Sequence, residues 1–182
     1  MSKFYTKKGD DGYTSLLGEG RAAKYDLRIE TVGEIDEANS AIAVARTLSL
    51  APETSAILIQ VQKDLYHMMS EVVASPDNAL NFRKITSERV DWLESEINSV
   101  SLKVTIPNEF ILPGDSKAGA AIDLARTVVR RAERTIARLL HSNQLENREI
   151  LRYMNRLSSL CFILELYENK LAGVERITLV KE

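Results

Sequence analysis

Residues 116–140 read SKAGAAIDLARTVVRRAERTIARLL and give the strongest indication of the fold class. At 3.6 residues per turn, its small and apolar residues fall on one side of a helix. The stripe consists of Ala121, Ala125, Val128, Ala132, Ile136 and Leu139. Such a stripe is typical of a helix that packs one face against other helices. The stretch therefore predicts a long amphipathic helix within a helical protein.

A second face of the same helix carries arginines. Arg126, Arg130 and Glu133 follow the spacing i, i+4, i+7 and so stand on one side of the helix. Because a guanidinium is a permanent charge with forked donors, this face suits a triphosphate or a carboxylate. The alternative is a solvated face on which Arg130 contacts Glu133 and Arg134. The helix taken alone does not decide between the two.

The helical periodicity recurs in four other segments, so the chain is predicted to be nearly all helix. The first segment ends at about Leu48, and the second runs from Pro52 to a break at residues 75–78. The third runs from a cap at Thr86 or Ser87 to Ile97, and the last from about Asn147 to Leu171. Residues 101–114 contain two prolines and predict an extended connector, and residues 176–180 suggest a short strand. We predict an all-α fold, a five-helix up-and-down bundle.

Composition narrows the class of protein. A length of 182 residues predicts a single domain over residues 1–182. With 24 basic and 26 acidic residues, the net charge of −2 gives no general attraction to nucleic acid or to an anionic membrane. The single cysteine, Cys161, lies in an apolar run and is expected to be a buried hydrophobe. No signal-like or membrane-spanning run is present, which predicts a cytoplasmic protein, and no metal-ligand cluster is apparent.

The N-terminal loop, residues 4–24, is the second candidate anion-binding element. It combines lysines and hydroxyls with glycines, whose backbone N–H groups can turn toward an anion. Its spacing is not that of a Walker A loop, and no apolar strand precedes it. The alternative is an unstructured polar terminus. The arginine helix favours the binding interpretation because a polyanion needs several cationic groups.

Polar residues also occur on the last and first helices. Asn155, Ser158, Ser159 and Phe162 are predicted to share one face, which serves either a polar contact between helices or a ligand. On the first helix, Asp36 is placed to pair with an arginine of residues 116–140.

Five motifs in order carry a resemblance to a known family. They are residues 5–14 (YTKKGDDGYT), 33–40 (GEIDEANS), 110–114 (FILPG), 126–134 (RTVVRRAER) and 155–158 (NRLS). Together they resemble the ATP:cob(I)alamin adenosyltransferases of the propanediol-utilisation type, from Tyr5 to about Tyr167. The resemblance implies a five-helix bundle that forms a homotrimer with active sites between subunits. It also implies transfer of the 5′-deoxyadenosyl group of ATP to cobalt(I) of a reduced corrinoid, with release of triphosphate.

The resemblance assigns roles on the nucleotide side. The loop residues expected to bind ATP are Thr6, Lys7, Lys8, Gly9, Gly12, Thr14, Ser15 and Lys24. Arg130 and Glu133 of the neighbouring subunit would hold the phosphates and the Mg²⁺-associated shell, with Asn155 nearby. Arg130 is expected to stabilise the leaving triphosphate. Because reduced cobalt is itself a strong nucleophile, no catalytic base is expected.

The resemblance also assigns roles on the corrinoid side. Asp36 and Arg126 resemble an ion pair between subunits that orders the site. Phe110 and Phe162 resemble apolar residues that line the corrinoid site, where Phe110 would help to exclude the lower axial ligand. A corrinoid reductase and an adenosylcobalamin-dependent enzyme are the partners that such chemistry suggests.

Three positions depart from the family pattern. Asp115 stands where a second glycine is usual, Asp123 where histidine is common, and Ser159 where aspartate is common. These changes leave the expected phosphate-binding residues intact. They also leave room for a non-catalytic ATP- or corrinoid-binding sensor or delivery protein on the same fold. A helical interaction protein is a further alternative.

Overall fold

The computed structural model describes residues 4–5 and 7–181, most of which are helical. The helices are α1 (Leu27–Leu48), α2 (Pro52–Val73), α3 (Ala79–Phe82), α4 (Ser87–Ser101), α5 (Lys117–His141) and α6 (Arg148–Leu171), and two short strands are β1 (Tyr13–Ser15) and β2 (Arg21–Ala23). The mainly helical class is therefore confirmed. The described part has six helices where five were predicted, because a 3-10 turn at Pro76–Asn78 leads into the single-turn α3.

Polar caps set the beginnings of the helices that carry the candidate site. The Ser116 hydroxyl accepts a hydrogen bond from the Gly119 N–H at 2.9 Å, and the Asn147 side chain accepts one from the Glu149 N–H. Side chains of this kind satisfy N–H groups that have no partner inside the helix. The beginnings of α5 and α6 therefore follow from local sequence, as predicted.

The hydrophobic core forms around α5, which packs between α1 and α6. Five of the six residues in the predicted stripe are buried, and Ala121 is partly buried. Cys161 is also buried in the core, and burial raises the pKa of its thiol to about 12. None of the helices in residues 4–5 and 7–181 has an apolar stretch long enough to cross a membrane.

The N-terminal loop contains a strand pair that the sequence did not predict. β1 and β2 are antiparallel, with Thr14 opposite Ala22. Arg21 braces the loop, since its guanidinium donates to Asp11 at 2.8 Å and to the Lys8 carbonyl at 2.6 Å. This ion pair raises the pKa of Arg21 and lowers that of Asp11. Strands of three residues are too short to show an alternating pattern, so no sequence signal indicated them.

The chain after α6 returns to the connector between α4 and α5, residues 102–116. Ile111 and Leu179 form an isolated antiparallel bridge, where the sequence suggested a strand over residues 176–180. The Leu112 N–H donates to the Thr178 carbonyl at 2.8 Å, and the Val180 N–H donates to the Phe110 carbonyl at 2.9 Å. The connector is thus held on one edge by the end of the chain.

Candidate active site

A cleft of about 520 Å³ lies on the outer side of α5 and α6. We call it the arginine cleft, and its lining residues are Arg130, Glu133, Arg134, Ala137, Leu151, Arg152, Asn155 and Arg156. Four arginines therefore line a small volume that holds one carboxylate. Arg152 and Arg156 are paired with Glu149 and Glu94, so the positive charge that suits a bound polyanion comes chiefly from Arg130 and Arg134.

Hydrogen bonds across the arginine cleft fix Asn155 and Glu133. The Asn155 side-chain nitrogen donates to the Glu133 carboxylate at 3.0 Å, and Arg156 donates to the Asn155 oxygen at 2.8 Å. Arg134 donates to the Arg130 backbone carbonyl at 3.0 Å. Among the described residues no ion pair involves the Arg130 side chain, which is exposed. Of the two contacts in the solvated-face alternative, the one between Arg130 and Arg134 is present through the Arg130 backbone, whereas Glu133 bonds to Asn155. Arg130 lines the cleft with its side chain exposed.

A second cavity, of about 430 Å³, lies between the connector and the α5–α6 pair. We call it the connector cavity, and its lining residues are Pro107, Asn108, Glu109, Phe110, Ile111, Pro113, Asp123, Arg126 and Phe162. The Phe110 side chain is 86% exposed, so its ring is available to a ligand. An apolar wall with a few charged groups is typical of a site for a small molecule or cofactor.

The arginine cleft and the connector cavity are neighbours. Arg130 lines the first and Arg126 the second, one helical turn apart on α5, about 6 Å along the helix axis. On α6, Asn155 lines the cleft and Phe162 the cavity, with the exposed Ser159 between them. Two ligands bound in these spaces would therefore meet along one face of the helix pair.

The predicted face on α6 holds for three of its four residues. Ser158 is buried, and its hydroxyl donates to the Asn155 carbonyl at 2.9 Å. The Ser158 hydroxyl therefore bonds within α6 and does not take part in the exposed face.

Arg126 has a partner in its own chain. Its guanidinium binds Asp123 at 2.7 Å, three residues earlier on α5. Asp36 is exposed on α1, and the structure of one chain does not join it to Arg126. Acidic residues of α1 that do pair with α5 include Glu37 and Glu34, which bind Arg131 and raise its pKa, and Glu30, which lies 3.9 Å from Arg138. The i, i+3 spacing of Asp123 and Arg126 was the available signal for the pair that sequence reasoning missed.

A buried carboxyl group lies close to the connector cavity. Glu165 is fully buried, and among the described residues neither of its oxygens has a hydrogen-bond partner. Burial raises the pKa of Glu165 to about 7, and the nearby Asp123 adds to the rise while Arg126 opposes it. Sequence reasoning missed this residue, although its spacing of three from Phe162 places it on the same side of α6.

Replacing Glu165 with glutamine is expected to change how stability depends on pH. The pKa of Glu165 rises from 4.5 to about 7 on folding, so the unfolded chain loses this proton first and wild-type stability falls as pH rises between these values. The glutamine variant has no such loss. The free energy of unfolding of the variant, relative to that of the wild type, should therefore rise by about 2 to 3 kcal/mol from pH 5 to pH 8.

Urea unfolding at a series of pH values measures this difference. Glu175→Gln is the matched control, because Glu175 is exposed after α6. A constant difference between the Glu165 variant and the wild type across this range would contradict the expectation.

The N-terminal loop is anchored at the end of α2. The Leu17 N–H donates to the Val73 carbonyl at 3.2 Å, and the Ser75 N–H donates to the Leu17 carbonyl at 3.0 Å. The end of α2 therefore holds the second half of the loop in place.

The predicted ATP-binding residues of the loop come together in part. The Lys24 N–H donates to the Gly12 carbonyl at 2.9 Å, and the Lys24 side chain lies against Gly9. Gly12 has a positive φ of 82°, which glycine adopts readily. Thr6 lies outside the described residues. The described residues that line the arginine cleft of the same chain do not include the other predicted contacts, which are Lys7, Lys8, Thr14 and Ser15.

Comparison with known proteins agrees with the resemblance. The model of the cobalamin adenosyltransferase family matches residues 4–168. A corrinoid adenosyltransferase of Bacillus subtilis is 37% identical over 176 residues, which cover 94% of this chain and 89% of the relative. The corrinoid adenosyltransferase PduO of Citrobacter freundii is 34% identical over 91% of this chain and 49% of its own length.

Solved structures with the same fold contain bound ligands. A variant PduO-type ATP:corrinoid adenosyltransferase from Lactobacillus reuteri, complexed with cobalamin and ATP, superimposes with a TM-score of 0.88 at 32% identity. The alignment covers 99% of this chain and all of the other. A further variant of that enzyme, complexed with ATP, gives a TM-score of 0.87 at 31% identity over 98% of this chain and all of the other.

Proposed function

The chain belongs to the cobalamin adenosyltransferase family, and on this basis we propose that it transfers the 5′-deoxyadenosyl group of ATP to cobalt(I) of a reduced corrinoid. With cobalamin the products are adenosylcobalamin and triphosphate. The observation that carries the proposal is the position of the arginine cleft directly beside the connector cavity. A polyanion in the first and a corrinoid in the second would bring the reacting carbon and cobalt together.

The reaction explains which groups the site contains. Cobalt(I) attacks C5′ of ATP, so a Co–C bond forms, the C5′–O bond breaks, and its electron pair leaves with triphosphate. No proton has to be removed from the nucleophile, so the protein needs no base. Its contribution is to align the two substrates and to stabilise the charge of the leaving group. The exposed guanidinium of Arg130 is our candidate for the second task.

The residues of the arginine cleft also fit a magnesium ion bound with ATP. Among the described residues no three His, Cys, Asp or Glu side chains could hold a metal ion by themselves. Mg²⁺ in nucleotide sites takes one or two carboxylates, with phosphate oxygens and water as its other ligands. Glu133, held by Asn155, is the carboxylate that would serve. The ion would offset negative charge on the phosphates.

We propose a homotrimer in which the N-terminal loop of one subunit covers the arginine cleft of the next. Two features support it. The described lining of the cleft comes from α5 and α6 alone, and Asp36 is exposed on α1, so its carboxylate is accessible to another subunit. Thr6, Lys7, Lys8, Gly9, Gly12, Thr14, Ser15 and Lys24 remain the predicted ATP contacts from the loop.

On the corrinoid side, we assign Phe110 and Phe162 to the wall of the site. Both line the connector cavity, Phe110 from the connector and Phe162 from α6. An apolar ring at Phe110 would disfavour a polar lower ligand of the cobalt and so ease reduction of Co(II) to Co(I). A single domain over residues 1–182, a cytoplasmic location, a corrinoid reductase and a recipient enzyme remain predictions from the sequence.

An anaerobic assay with chemically reduced cobalamin, MgATP and purified protein tests the proposal. We expect the Co(I) absorbance to disappear with formation of a photolabile Co–C product and an equal amount of triphosphate. Sedimentation velocity of the same sample should give the mass of a trimer. ATP binding without any product would contradict the enzyme assignment and favour the sensor or delivery protein.

A further inference from the structure

The end of the chain is tied to the connector at the point where Phe110 lies. We call residues 177–180 the terminal segment. Its backbone makes two hydrogen bonds with the connector, from Leu112 N–H to the Thr178 carbonyl and from Val180 N–H to the Phe110 carbonyl, at 2.8 and 2.9 Å. These bonds lie on either side of the Ile111–Leu179 bridge. The backbone of Phe110 is therefore held from the terminal segment.

Asp115 completes this attachment with its side chain. One carboxylate oxygen accepts from the Thr178 N–H at 3.0 Å, and the other accepts from the Thr178 hydroxyl at 2.7 Å. Gly114, with a positive φ of 129°, turns the connector just before Asp115. Asp115 also directly precedes Ser116, which caps α5. The carboxylate thus joins the terminal segment to the beginning of α5.

The ring of Phe110 has few other constraints. Its side chain is 86% exposed and lines the connector cavity without packing into the core. The backbone of an exposed residue fixes its Cα–Cβ bond and the rotamers open to its side chain. The directions open to the ring consequently depend on the bonds that hold residues 110–112.

We propose that Asp115 is a positioning residue for the corrinoid site. Through Thr178, it holds the terminal segment against the connector and so fixes the direction in which Phe110 enters the connector cavity. The role of the cavity as a corrinoid site rests on the proposed function. The attachment itself does not, so the two can be tested separately.

The chemistry of the contact provides matched variants. A carboxylate accepts on both oxygens, whereas an asparagine side chain has one acceptor oxygen and a donor NH₂ group. Asp115→Asn therefore replaces two charge-assisted bonds with weaker neutral ones, because its oxygen accepts from the Thr178 N–H while its NH₂ group has to donate to the Thr178 hydroxyl. Thr178→Val removes the hydroxyl and keeps the shape, and Thr178→Ser keeps the hydroxyl. Glu175→Gln, an exposed change just before the terminal segment, is the control.

Amide hydrogen exchange on the unliganded protein tests the attachment. In Asp115→Asn and Thr178→Val, the Leu112 and Val180 amides should exchange roughly tenfold faster than in the wild type. Thr178→Ser and Glu175→Gln should match the wild type. Unchanged exchange at both amides in Asp115→Asn and Thr178→Val would overturn the attachment, whatever reaction the protein catalyses.

Kinetics and spectroscopy test the positioning of Phe110. We expect KM for the corrinoid to rise about three- to tenfold in Asp115→Asn and Thr178→Val, with KM for ATP unchanged. Electron paramagnetic resonance of Co(II)cobalamin bound with ATP should show a larger fraction that retains its lower axial ligand. A merely structural role would not separate the two KM values.

Two results distinguish the possible failures. Faster exchange with wild-type corrinoid KM and an unchanged spectrum would overturn the positioning role and leave the proposed function standing. If the wild type forms no product, the proposed function fails. Corrinoid affinity in the presence of ATP, measured by absorbance, then replaces KM in the same comparison, and equal affinity in all variants would overturn the inference.

Discussion

Replacing Arg130 with alanine is expected to lower adenosyl transfer at least a hundredfold. Arg130 lines the arginine cleft, and its side chain forms no ion pair with any of the described residues. A cation that stabilises charge developing on triphosphate acts mainly in the transition state. Its loss should raise the activation free energy by about 3 kcal/mol or more, which lowers kcat by a factor of about a hundred.

Single-turnover kinetics under saturating ATP and reduced cobalamin measure this effect. Arg138→Ala is the matched control, because Arg138 lies two turns further along α5, is 62% exposed at its side chain, and does not line the cleft. It should keep kcat within about twofold, as surface changes usually do. Arg130→Lys tests whether the forked guanidinium matters beyond its charge. If Arg130→Ala is folded and keeps wild-type kcat, Arg130 has no such role.

Among the proposed substitutions, replacing Asp64 with alanine is expected to lower the free energy of unfolding the most. The Asp64 carboxylate on α2 is buried and accepts hydrogen bonds from Arg89 of α4 at 2.6 Å and from the Tyr153 hydroxyl of α6 at 2.8 Å. Gln60 donates to it as well, at 3.1 Å. Burial, with the nearby Asp64, raises the pKa of Tyr153, so its hydroxyl stays protonated and donates.

Removal of Asp64 leaves Tyr153 and Arg89 without their acceptor inside the bundle. Deleting one partner of a fully buried ion pair costs about 3 to 5 kcal/mol, and because the Arg89 side chain is 27% exposed we expect about 3 kcal/mol here. For a chain of this length, that loss should lower Tm by roughly 10 °C. Calorimetry measures it, with Asp91→Ala on the exposed side of α4 as the control. A loss below about 1 kcal/mol, the value of an ordinary hydrogen bond, would contradict the expectation.

The positions of the long helices could be predicted because their signals are local. The apolar stripe of residues 116–140 repeats every three or four residues, and the caps Ser116 and Asn147 satisfy N–H groups two or three residues away. A local sequence window contains all of this information. The same periodicity placed Arg130 and Asn155 on faces that the structure brings into one cleft.

Other parts of the site had no local signal. Phe110 and Phe162 share a cavity although 52 positions separate them, and Asp115 binds Thr178 across 63 positions. Arg126 is an exception: it was expected to pair with Asp36 of another subunit, and its partner in one chain, Asp123, lies only three residues earlier. Glu165 gave no sign of its raised pKa, because that shift follows from burial against α5.

The helical class, the bounds of α5 and α6 to about one residue and, through five motifs in order, the family could all be predicted from the sequence. Helical periodicity, capping and motif order are properties of neighbouring residues, so they survive without knowledge of the packing. Three features became visible only in the folded structure: the arginine cleft adjoins the connector cavity, the Glu165 carboxyl group is buried beside that cavity, and the end of the chain holds the backbone of Phe110. These features depend on how distant segments pack, because burial and hydrogen bonding between them arise only once the helices are assembled.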